Sequence, residues 1–90
     1  MPQAIVDPAE LRAFAQALRQ FNADLEDRAL ALAAQLDALS ATWRDQEHKK
    51  FAAEFEEHMK TLRRFIDANN RHVPYLLRKA ERIEEYLQQR

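Results

Sequence analysis

The side chains able to do acid–base or metal chemistry in this chain are His48, His58 and His72. None stands three or four residues from another histidine, and no Glu-x-x-His pair of the di-iron bundle type occurs, so no helical turn presents a ligand set. Glu54 and His58 share a helix face, but one such pair reads as a solvated contact. The chain has no cysteine to act as a thiolate, no serine on a strained elbow and no glycine to shape a phosphate loop. No catalytic, cofactor-binding or metal-binding residue is expected, and the expected class is not an enzyme. Arg63, Arg64, Arg71, Arg78, Lys79 and Arg82 form a basic cluster, yet Asp67, Glu81, Glu84 and Glu85 interrupt it. That pattern describes a solvated helix surface, and no nucleic-acid partner is expected.

Association is the function that remains, and the composition fits it. Ninety residues suffice for one small domain and are too few to enclose a deep catalytic cavity. With 47% hydrophobic and 32% charged residues, dominated by Ala, Leu, Glu, Arg, Gln and Lys, the chain has the make-up of long paired helices. The lack of glycine counts against tight strand hairpins. The first half is acidic and the second mildly basic, which favours their pairing modestly. No apolar run approaches the roughly 20 residues of a membrane span, and no signal-peptide order opens the chain. No membrane insertion is expected, and localisation is either secretion without a cleaved signal peptide or the cytoplasm.

The elements that would present such an association surface are two helices. After a lightly packed lead over residues 1–6, Asp7-Pro8-Ala9-Glu10 reads as a helix start: N-cap, proline at the first helical position, and an acid reaching back. Leu11, Phe14, Leu18, Phe21, Leu25, Ala29, Leu32, Leu36 and Leu39 follow at steps of three or four, predicting a helix over about 8–41. Two successive steps of four, Phe21 to Leu25 to Ala29, mark a stutter in the stripe. Small residues at 29–34 predict the closest helix approach there. A second stripe holds Phe51, Phe55, His58 or Met59, Leu62, Ile66, Asn69, Val73, Leu76, Ala80, Ile83 and Leu87, predicting a helix over about 46–88. Its cap is Thr42 or Asp45, and Pro74 predicts a kink or a break into two collinear pieces. Asn69 on the seam either fixes register or is simply exposed. The polar run at 44–50 breaks the seam, so the helices fold back as a hairpin about a turn at 42–45.

The predicted fold is all-α: an antiparallel two-helix hairpin, dimerising into a four-helix bundle because its Phe, Tyr and Leu residues exceed what one hairpin can cover. The packing and dimer seam is assigned to Leu11, Phe14, Leu18, Phe21, Leu25, Leu32, Leu36, Phe51, Phe55 and Leu62. On that assignment Leu18→Asp should cost association before helicity. Trp43, the only tryptophan, either closes the bundle end or serves as a rigid amphipathic interface anchor.

A chain of this length, with two helices about a central Trp43-Arg44-Asp45 turn, resembles the WXG family, the early-secreted-antigen-like substrates and partners of type VII secretion. Phe51 matches the large residue eight positions after the tryptophan, and Tyr86 stands where the family's C-terminal Tyr-x-x-x-acid signal would begin. Two positions depart: Asp45 replaces the motif's glycine and Arg90 replaces the signal's acid. The resemblance implies a secretion substrate or dimeric secretion partner. It would act by pairing with itself or a related hairpin, with the secretion ATPase as a further partner and no cofactor. Turn tryptophan and C-terminal signal of opposite subunits would form one composite mark, here Trp43 with Tyr86. A second hypothesis is a non-secreted cytoplasmic adaptor or chaperone for a larger effector or toxin, favoured by Arg90.

Overall fold

The computed structural model describes residues 6–89; the lead over residues 1–5 and the residue at position 90 lie outside them. The described residues form two α-helices, α1 (Pro8–Leu39) and α2 (Gln46–Gln88), antiparallel and in contact along their length. The hairpin measures 68 × 18 × 15 Å, close to the ~65 Å that the 43 residues of α2 reach at about 1.5 Å per residue.

Local chemistry sets both helix starts. Asp7, in extended backbone, accepts the Ala9 amide at 2.8 Å, Pro8 needs no donor there, and Glu10 places its charge at the positive end of the helix dipole. Asp45 caps α2 by accepting the His48 amide at 3.0 Å, which decides between the two caps that the sequence left open. α1 ends at Leu39, two residues short of the predicted 41, because the chain tightens into i→i+3 bonds. Ser40 and Ala41 donate to Asp37 and Ala38, and the amide of Trp43 to the carbonyl of Leu39. Helix α2 runs through Pro74 without a break. Pro74 and Asn70 are both exposed, so water can reach the Asn70 carbonyl that the proline leaves without a donor.

Among the described residues, Ala15 and Asn22 of α1 and Ile66, Val73 and Ala80 of α2 are buried, all in the middle and open end of the hairpin. Asn22, 1% exposed, donates to the Asn70 side chain at 2.9 Å and accepts from Asn69 at 3.2 Å. Asn69 thus meets a buried partner across the seam instead of lying exposed, the contact that a register-setting residue requires.

The stripe that the sequence shows on α1 resolves into two. Leu11, Leu18, Leu25 and Leu36, with Phe55 and Leu62 of α2, are half-buried between the helices. Phe14, Phe21, Leu32 and Phe51 instead face outward, 47–58% exposed. A straight helix drifts by roughly 20° per heptad against a strict sevenfold repeat, so toward the turn Leu32 and Leu39 rotate out while Ser40 rotates in. Since Leu18 lies inside the hairpin, Leu18→Asp would damage the hairpin itself; the residue that tests association is Phe21. On α2, Met59 rather than His58 takes the seam position. Of the small residues at 29–34, Ala29 is half-buried while Ala31, Ala33 and Ala34 are exposed, and Ala29 and Ala33 line a groove.

Candidate functional site

Phe14 and Phe21 are seven residues apart, and Phe51, Phe65 and Tyr86 are separated by multiples of seven, the repeat that the covered seam of α2 keeps through Met59, Ile66, Val73 and Ala80, so each set holds one side of its seam. In an antiparallel pair the equivalent flanking positions of the two helices lie on the same side. The cross-helix contacts settle the sides. Arg12 and Glu84, which pair through both guanidinium nitrogens and both carboxylate oxygens, belong to the opposite sevenfold rows. With Leu32, Leu39 and Tyr75 alongside, one flank of the hairpin therefore carries a series of aromatic and aliphatic side chains, each 47–58% exposed, with Arg28, His58, His72 and Lys79 between them. The other flank carries the ion pair and the groove.

That pair holds Glu84 below its ordinary value of 4.5, chiefly through its hydrogen bond with Arg12 and then through the attraction of that charge. A depressed carboxylate contributes stability above its unfolded-state value and loses it as the pH falls through the folded one. Both side chains are well exposed, so the contribution is small.

At the turn, Trp43 is half-buried. Its ring lies edge-to-face on His48, with centroids 4.9 Å apart and planes at 69°, and tilted against Phe51 at 6.0 Å. Phe51 stacks on Phe55 at 6.1 Å, so the tryptophan begins an aromatic run that leads from the turn onto α2. The Nε2 of His48 is buried without a hydrogen-bond partner among the described residues, and His48 is one of the residues lining the groove. The sequence signal for His48's place was its three-residue offset from the Asp45 cap.

Arg44 is exposed, and Asp45 takes φ −87°, ψ −177°, an extended conformation open to any residue, so the turn accepts an aspartate where the motif has glycine. The cap should be measurable: Asp45→Ala is expected to lower stability by about 1 kcal/mol, while Asp45→Asn keeps the cap. Urea titration followed by circular dichroism checks this.

Tyr86, 56% exposed, stands at the open end, a hairpin length away from Trp43 at the turn, so one chain cannot bring the two together. Arg90, the other residue of the C-terminal pair, lies outside the described residues. His58 and His72 are exposed, and no group of three His, Cys, Asp or Glu among the described residues could hold a metal ion. Nor is any helix of the described residues long and apolar enough to cross a membrane.

No curated protein and no solved structure matches the chain. The family model described as proteins of 100 residues with WXG, however, matches residues 3–86. With two long helices joined at a Trp43-Arg44-Asp45 turn and a match over nearly the whole sequence, the chain belongs to the WXG100 family, small helical proteins associated with type VII secretion and not known as enzymes.

Proposed function

We propose that the chain works by pairing, with itself or with a related hairpin, as a substrate or dimeric partner in type VII secretion. The observation that carries this is the outward apolar face of Phe14, Phe21, Leu32, Leu39, Phe51, Phe65, Tyr75 and Tyr86. A second hairpin laid on these side chains would cover them and make a four-helix bundle. The two hairpins would pair antiparallel. In that arrangement Trp43 of one chain comes beside Tyr86 of its partner, giving the secretion ATPase one composite surface to read at each end.

Arg90 supports a second reading, a cytoplasmic adaptor or chaperone that binds a larger effector or toxin and stays inside the cell. Export separates the two. In a host with the secretion system, the native chain in the culture medium would overturn the adaptor reading. A native chain that stays inside, while Arg90→Glu sends it out, would assign the native protein the escort's part. If neither version leaves any type VII host, the chain is not a substrate and its role is that of the partner it holds.

A further inference from the structure

Opposite the aromatic face, over the half of the hairpin nearer the turn, lies a groove of about 400 Å³. It exists because Ala29, Ala33 and Ala52 form its walls; the apolar side chains of Phe55, Leu62 and Ile66 line it too. Leu30 stands at its lip, 64% exposed. Four charged residues line it: Glu26, Asp37 and Glu56 against Arg63 alone, and none of the four is in an ion pair among the described residues.

We propose that this groove docks a helix of another protein, one whose apolar ridge is flanked by lysine or arginine. Three unpaired carboxylates against one guanidinium select a basic partner. The groove is built from the side chains of two helices whose backbone groups are already bonded. An extended peptide there would bury unpaired N–H and C=O groups, whereas a helix satisfies its own. The lining from Glu26 to Ser40 extends about 21 Å along α1, the length of roughly four helical turns. The groove goes beyond self-pairing and is independent of it, since a dimer formed on the aromatic face leaves this flank open.

The test uses the full chain and a fluorescent synthetic helix with a leucine ridge flanked by lysines, beside the same ridge flanked by glutamates, read by anisotropy. The lysine helix should bind at least about tenfold more tightly than the glutamate helix. Ala33→Trp, which fills the groove, should weaken it at least about tenfold, while Ala17→Trp, at an equally exposed alanine of α1 outside the groove, should leave it unchanged. Should Ala33→Trp lose helicity, the double exchange Asp37→Lys with Glu56→Lys, both at exposed positions, must reverse the preference between the two helices. Equal affinity for both helices, or binding that survives the filled groove, would overturn the proposal. So would a particle mass that grows with concentration until Ala33→Trp stops it, which would give the groove to a second copy.

Discussion

Phe21→Asp is expected to leave a fully helical chain that sediments at its own 10.6 kDa, where the native chain runs at twice that mass. Phe21 is 51% exposed on the outward face, near the middle of α1, so its replacement removes nothing from between α1 and α2. In a dimer built on that face the aspartate would be trapped near the centre of the interface, apolar on both sides. Losing the buried ring costs about 1.5–3 kcal/mol, and an unpaired carboxylate adds at least as much, so the dissociation constant should rise by roughly a hundredfold or more. Light scattering over a micromolar concentration range, with circular dichroism on the same samples, measures both quantities. A native chain that is already a helical monomer would remove the self-pairing reading. A Phe21→Asp chain that still dimerises would keep it but move the interface off the aromatic face.

Asn22→Asp is expected to unfold the hairpin at neutral pH and let it refold on acidification. The substitution is nearly isosteric, but Asn22 is 1% exposed and sits between two amides with no cation at hand. A carboxylate there can at best accept from the two neighbouring amides, and it loses water without gaining a counter-charge. The cost should be about 3–5 kcal/mol, a large share of the stability of a small domain. Burial raises the folded-state value of the introduced carboxyl above its unfolded value of about 3.9, so the penalty is complete above the raised value and disappears as the pH falls toward the lower one. Asn22→Leu is the informative contrast, because it introduces no charge and leaves Asn69 and Asn70, half-buried and exposed, to turn toward water. It should keep helicity and thermal stability, yet admit alternative helix alignments, visible as doubled or broadened resonances for Val73 and Ala80. Thermal melts from pH 7 to pH 4 with a single unchanged midpoint for Asn22→Asp would show that water reaches the cluster and that Asn22 does not govern register.

Much of the molecule was legible in the linear order of residues, because helices are local. Asp7-Pro8 announced the start of α1 through cap chemistry that involves only neighbours in sequence. Most of the α2 seam, from Phe55 through Ile66 and Val73 to Ile83, followed from a period that the 3.6-residue turn imposes on any helix with one covered face. The polar run at 44–50 marked where the chain reverses. The likeness at Trp43-Arg44-Asp45 had the same character, a local motif readable without coordinates. The match over residues 3–86 gives it the length of a domain.

Tertiary structure alone decided what each apolar residue faces. The sequence shows Phe14 and Leu18, or Phe21 and Leu25, as members of one stripe, since three- and four-residue steps look alike in a list of letters. Only the partner helix, with its own rotation and drift, assigns Leu18 and Leu25 to the inside and Phe14 and Phe21 to the outside. The trio of Asn22, Asn69 and Asn70 is equally invisible beforehand. It exists because an antiparallel register brings position 22 opposite positions 69 and 70, and a polar residue on a seam acquires its purpose from the group it meets. The alanines at 29–34 were ambiguous for the same reason, for a small side chain permits close approach or leaves a gap, and the residues across from it choose. In this hairpin they left the gap, and with it the acid-lined groove.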